Sequence, residues 1–218
     1  MYEAGISSRA KDELASINRI FLDLIVRGVA PEGSAVVPAM GLSAELVHRI
    51  TSLDDAGLDH IARCPFSLCS YGFHDLEAWH ALLRKQVRDS DRRSPCALPN
   101  TAQTQFVIMS LSVVREMAAN ETHAAALFFG MPRELGLSFA RLDLAQLPLV
   151  AESAARRMHA RLARHPRFWS DLVGASAGGS SIRLGAARDL GLQLTLQRAL
   201  LLTGCRLSNG RLYRRLKR

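Results

Sequence analysis

No acidic residue follows Asp189, so the last 29 positions of this 218-residue chain lack negative charge altogether. Seven basic residues fall in that stretch: Arg198, Arg206, Arg211, Arg214, Arg215, Lys217 and Arg218. The whole chain has 28 Lys+Arg against 20 Asp+Glu, a formal charge of +8, so most of the excess sits at one end. Long apolar runs are also missing. The most apolar short stretch, AAALFFGM at 124–131, is far below the roughly 20 residues that a membrane-spanning helix requires. The opening MYEAGISSRAKDELASINRI has no apolar core, so no secretory signal is read and a cytoplasmic location is expected. Aromatic residues are few, at 6%, which leaves Leu, Ala, Val and Ile to build the interior.

Cysteine is scarce and scattered. Cys64 and Cys69 stand in CPFSLC with four residues between them, while Cys96 and Cys205 stand alone with no histidine cluster beside them. Zinc sites use closer pairs repeated at a matching distance, so neither a metal nor another cofactor is expected. The thiols are expected to be buried or half-buried, and a reducing cytoplasm disfavours a disulfide within the chain. Catalytic patterns are missing too. The histidines, His48, His60, His74, His80, His123, His159 and His165, form no HExxH pair, and no GxSxG, phosphate-binding loop or Cys–His pairing stands in the local context that its chemistry needs. The chain therefore reads as a binding protein and not an enzyme.

What is present is Leu and Ala in abundance, with 48% apolar residues. That is enough for a real core and favours helices, so an all-α fold is expected. The chain also aligns with itself at a shift of 89 residues without a gap. Leu22 falls on Leu111, Ala30 on Ala119, Gly41 on Gly130, Glu45 on Glu134 and Leu46 on Leu135. The register continues through Leu53 and Leu142, Asp54 and Asp143, Ala56 and Ala145, Leu58 and Leu147, and Ala62 and Ala151, with Trp79 on Phe168.

Each unit reads as a long helix, over 11–28 and 100–119, with apolar residues at helical spacing. A short helix runs into Met40–Gly41, Ser43 caps a further helix, and the SLDDAGLDHIA stretch supplies another cap and helix. Pro132 takes the matching place in the second unit and suits a first helical turn. The domains expected are unit one over 1–90, unit two over 100–173 and a basic segment over 182–218. RDSDRRSPCALPN at 88–100 serves as a linker, and VGASAGGSS at 173–181 as a flexible joint. The two units are expected to pack on each other as a pseudo-dimer.

The basic segment forms a helix-turn-helix candidate. A first helix is expected over 186–204, with Leu192, Leu196, Ala199, Leu200 and Thr203 near one face, Gly191 weakening its start and Gly204 ending it. Ser208 can cap a second helix, NGRLYRRLKR, that turns Leu212 and Leu216 to the body. Arg206, Asn209, Arg211, Arg214, Arg215, Lys217 and Arg218 are then the candidate DNA contacts, most of them to phosphate. A solvated basic tail, or a helix lying on an anionic membrane surface, is the competing reading. Membrane binding is disfavoured because the apolar face has no Trp or Phe.

DELASINRIFLDLIVR at 12–27, followed by AMGLSAELVHRITSLDDAGLDHIARCPFSLCSYGF at 39–73, resembles the FlhD family of bacterial transcription regulators. RLSNGRLYRRLKR resembles a Leu-Ser-x-Gly-Arg-Leu stretch of FlhC, the partner of that family, although FlhC's cysteine-rich zinc region has no counterpart here. The resemblance implies an all-helical fold of two FlhD-like units in tandem with an FlhC-like piece appended. It implies an activator of a multi-gene operon, flagellar or mobile-element transfer, acting on double-stranded promoter DNA with or through an FlhC-like subunit, and RNA polymerase as a further contact. It also implies that Cys69 matches a cysteine able to join two subunits; the second unit has Met158 in its place. The competing function is an adaptor that holds an FlhC-like partner without touching DNA.

Overall fold

The computed structural model describes residues 8–28, 40–90 and 101–197, with the backbone alone for 85–90. Helix α1 spans Ser8–Gly28 and buries Leu14, Ile17, Phe21, Leu24 and Ile25 on one face, the three-and-four spacing of an amphipathic helix. Asn18 lies in the same stripe and is fully buried. Its Nδ2 donates to the carbonyls of Ala62 and Phe66, both at 3.0 Å, and its Oδ1 accepts from the Leu68 N–H at 2.8 Å. A buried amide is tolerable because it is satisfied in this way, and it fastens the helix to the 62–68 loop. Helix α2, Ala44–Thr51, starts at Ser43, whose Oγ accepts from Leu46 N–H. Helix α3, Asp55–Ala62, starts at Asp54, which accepts from Gly57 N–H at 2.8 Å. Both are side-chain caps of the first free N–H groups. Arg19 on α1 then reaches Asp55 and Asp59 on α3. The two-residue strand β1, Cys69–Ser70, and helix α4, Leu76–Ser90, complete this half.

The second half also opens on a long helix. Helix α5, Ala102–Asn120, is capped by Thr101. Helix α6, Thr122–Phe129, ends at Gly130, whose φ of 61° is the left-handed conformation that closes a helix with little strain only in glycine. Helix α7 is Arg133–Ala140. A 3-10 turn, Leu144–Gln146, begins with a capping box between Asp143 and Gln146 and leads into α8, Leu147–Ala155. Strand β2, His159–Ala160, precedes α9, Phe168–Ala177, and residues 181–197 form helix α10.

The halves share one core. Helices α1 and α5 pack together, with the Phe21 and Phe106 rings 6.1 Å apart. Strands β1 and β2 pair antiparallel, Cys69 opposite Ala160 and Ser70 opposite His159. Each half sends across the helix that follows its strand: α4 packs on α7 and α8, and α9 packs on α2 and α3. Phe73 and Trp79 from the first half meet Phe139 from the second at 5.7 and 5.6 Å. Two thin helical layers that each bury little alone thereby bury both apolar faces against one another.

The chain is mostly helical, as expected, with one very short ladder at its centre. Three expectations are corrected. The stretch at 173–181 is not a flexible joint: α9 runs to Ala177, and only Gly178–Ser180 separate it from α10. Gly179 at φ 63° makes the turn, and Ser180 caps the next helix through Arg183 N–H. Glycine and serine here supply a tight corner and a cap, not a slack linker. The helix expected from 186 begins at 181, and its buried face is Leu184, Ala187, Gly191 and Thr195, whereas Leu196 is exposed. Residues 181–197 accordingly pack on the body. Pro132 stands one place before α7 as its N-cap and not inside the first turn. The short helix expected before Met40 and the linker at 91–100 lie outside the described residues.

Candidate functional site

The candidate DNA contacts Arg206, Asn209, Arg211, Arg214, Arg215, Lys217 and Arg218, together with Cys96 and Cys205, lie outside the described residues. What the structure does describe is the base from which that segment departs. Helix α10 seats itself on the first half through small residues. At Gly191 a Cβ would run into the rings of Phe66 and Phe168, so the helix backbone lies directly on that aromatic pair. One turn earlier, Arg188 donates to the His60 carbonyl, and its guanidinium faces the Cys64 thiol. Thr195, one turn later, is buried as well. The stripe Ala187, Gly191 and Thr195 at four-residue spacing is what permits the close approach. The sequence reading took Gly191 for a weak start because a lone glycine in a helical pattern is ambiguous between a break and a contact.

The second part of the site is the surface where the halves meet. Trp79 Nε1 donates to the Tyr71 carbonyl at 3.3 Å, and Trp169 Nε1 to the Arg161 carbonyl at 2.8 Å, the same reach back over eight residues. Gly72 and Leu162, 90 residues apart, both have positive φ, 66° and 58°. Three residues after each, Asp75 and His165 accept from the N–H three residues further on, Ala78 and Phe168, at 3.1 Å apiece. Gly41 and Gly130, 89 apart, are both left-handed, at 76° and 61°. Asp54 and Asp143, also 89 apart, are both N-caps. Helices α2 and α7 start and end 89 residues apart. Not all of these features could be read from residue type: Leu162 carries no sign of a left-handed backbone.

Arg161, buried beside the ladder, was missed by sequence reading. Its Nη1 donates to the Phe128 carbonyl at 2.7 Å, and its guanidinium lies 5.4 Å from the Phe66 ring centre, within cation–π range. It therefore ties α6 of the second half to the loop of the first. Just after β1, Tyr71 is fully buried, and burial pushes its phenol well above the ordinary value, with Cys69 adding to the rise.

Cys64 and Cys69 are free and buried. Burial pushes the Cys64 thiol up to about 12 despite the opposing pull of Arg188, and pushes Cys69 further, with Tyr71 opposing. A thiol in this state is a packing group and a poor nucleophile. Cys69 sits inside the ladder opposite Ala160 at 1% exposure, so a bond to a second chain would require that wall to open.

Among the described residues no group of His, Cys, Asp and Glu could hold a metal ion, and no helix is long and apolar enough to cross a membrane. Two histidines make local backbone contacts: His165 Nδ1 accepts from the Phe168 N–H at 3.1 Å, and His159 Nδ1 lies 2.9 Å from the Arg157 carbonyl. No family model, curated protein or solved structure matches this chain.

Proposed function

We propose that the chain is a transcription regulator built from two FlhD-like units in tandem, packed about a pseudo-two-fold axis, with a basic helix-turn-helix-like segment at the C-terminal end. One observation carries the architecture: the ladder pairs Cys69 with Ala160 and Ser70 with His159, so that positions 90 residues apart exchange places across it. An antiparallel pair of equivalent strands is what a two-fold axis between like units generates. The reciprocal crossing of α4 and α9, and the matched caps and glycines, support the same reading. Fusing the units in one chain removes the concentration dependence of dimer formation.

The function is carried by the acid-free end. Helix α10 fastens to the body through Gly191 and Arg188 and directs the chain toward 198–218, where every charged side chain is basic. The positive charge of this segment suits a phosphate backbone, and Arg211, Arg214 and Arg215 are the assigned contacts. The chain would act as an activator, with an FlhC-like subunit sharing the promoter contact and RNA polymerase recruited to the complex.

The test is co-purification of the chain with an FlhC-like subunit, followed by binding to double-stranded promoter fragments for the chain alone, for the mixture, and for a chain ending at residue 205. Loss of DNA binding in the shortened chain alone and in its mixture supports direct contact. Unchanged binding of the shortened mixture assigns the chain the adaptor role.

A further inference from the structure

The two halves differ where α4 and α9 cross them. Where α9 crosses the first half, it is closed down on α2 and α3. Arg49 donates to the Ser170 carbonyl at 3.3 Å, Ser176 Oγ donates to the Gly57 carbonyl at 2.7 Å, and Gly174 lets the Arg49 guanidinium pass. Where α4 crosses the second half, the corresponding contact is open. A trough of about 450 Å³ runs between α4 and the α7–3-10 corner, lined by His80, Leu83, Arg84, Ser138, Arg141, Leu142 and Gln146.

Residue correspondence explains the opening. His80 and Arg84 stand 90 residues before Ser170 and Gly174, so two bulky side chains occupy places that are small on the closed side. Ser138 and Gln146 stand 89 after Arg49 and Gly57, so the guanidinium that bridges the closed side is absent, and a long amide replaces the glycine. Small and large have been traded across the contact, and a helix that packs tightly in one half is held off in the other.

The chemistry of the lining is one-sided. Arg84, Arg141, His80 and the Gln146 amide can donate, and among the described residues no carboxylate lines the trough. Gln146 Oε1 is already engaged by the Asp143 N–H at 3.0 Å, which leaves its NH2 group as the free end. Neither Arg84 nor Arg141 is in an ion pair with a described residue, whereas Arg9, Arg19, Arg156, Arg157 and Arg167 all are. The floor is apolar, with Leu83 and Leu142 buried at 7% and 4%. On the same α7–3-10 corner, Leu137 and Leu144 are 40% and 58% exposed, unusual for leucine beside a groove. Their counterparts 89 residues earlier are the polar His48 and Asp55.

We propose that this trough binds an acidic, amphipathic peptide segment of a partner protein. The guanidinium groups of Arg84 and Arg141 take its carboxylates in charge-assisted pairs, and its apolar side chains lie over Leu83 and Leu142 between the exposed leucines. An open trough suits a segment lying along it better than a small molecule, which binds where most of its surface is enclosed. The correspondence of the halves rests on the tandem reading above; the charge and exposure of the trough do not, and its occupant needs no DNA.

The experiment is fluorescence anisotropy of the full chain, without DNA, with a labelled synthetic helix of Leu and Glu arranged amphipathically. Two further probes have Lys for Glu or Ser for Leu. The Leu–Glu peptide is expected to bind and the other two not. R84A/R141A should weaken binding at least about tenfold, while R133A/R164A, which removes the same charge outside the trough, should leave it unchanged. Ser138→Trp, which fills the trough and removes no charge, should weaken it as well. Failure of the Leu–Glu peptide to bind would overturn the proposal. Equal binding of the Ser-for-Leu peptide, or equal loss in the two double variants, would reduce the effect to general charge attraction and also overturn it.

Discussion

Gly130 lies so close to Arg161 that any side chain at this position would occupy the space of the guanidinium. Gly130 ends α6 in the left-handed conformation, and Arg161 crosses it to reach the Phe128 carbonyl. One residue therefore meets two demands, a positive φ and a bare surface. Gly130→Ala should destabilise the fold by about 2–4 kcal/mol, from backbone strain plus displacement of the arginine. Gly179 provides the control: its φ of 63° is equally left-handed, but nothing stands within 4 Å of the Cβ position. Gly179→Ala should cost only about 1 kcal/mol. Urea unfolding of both variants measures the difference, and equal losses would show that the Arg161 contact carries no energy.

Asn18 makes a second prediction. It satisfies two carbonyls and one N–H of the 62–68 loop. Asn18→Leu leaves those groups buried without partners, so a loss of about 2–4 kcal/mol is expected, larger than an exposed substitution on α1 could produce. Unfolding by urea reads it directly, with Lys11→Ala on the exposed face as the reference.

Gly191 tests the seat of α10 through the sign of an effect. In an exposed helix interior, alanine for glycine stabilises by about 1 kcal/mol. At Gly191 the new methyl meets Phe66 and Phe168, so Gly191→Ala should destabilise and loosen α10. Amide hydrogen exchange across 181–197 should speed up in the variant, and slower exchange there would remove the close-packed seat.

The helical character was legible because it depends on the spacing of apolar residues. Helical spacing of apolar residues located α1 and α5, and the SLDDAGLDHIA stretch announced a cap and a helix, which the structure places at Asp54. What was not legible depends on contacts between distant parts of the chain. Gly191 and Gly178–Ser180 look alike in sequence, yet one is a packing surface and the other a corner, and only the presence of Phe66 and Phe168 separates them. Arg161 resembles any surface arginine until the loop that covers it is known. The trough arises from a difference in side-chain size at matched positions, which matters only once α4 and α9 are known to cross the halves in the same way.

Thiol chemistry gives a pH prediction. Burial raises the Cys64 thiol from an ordinary 9.0 to about 12 and carries Cys69 in the same direction. The folded state thus keeps these protons where the unfolded chain has lost them. The stabilisation is fully present below about pH 9 and falls as pH rises toward the folded values. In a chain with Cys96 and Cys205 replaced by serine, Cys64 and Cys69 should react slowly with a thiol reagent at pH 8 and rapidly in denaturant. Fast reaction of the folded chain would contradict the buried placement.

The most direct test of the regulator reading is a salt titration of DNA binding for the R211A/R214A/R215A variant beside the unmodified chain, on promoter and unrelated duplexes, with circular dichroism as the fold control. The variant should keep its helical spectrum, bind promoter DNA far more weakly, and show a flatter dependence of log affinity on log salt, because phosphate contacts release fewer counterions. An unchanged affinity and salt slope in the folded variant would contradict DNA contact by the C-terminal segment.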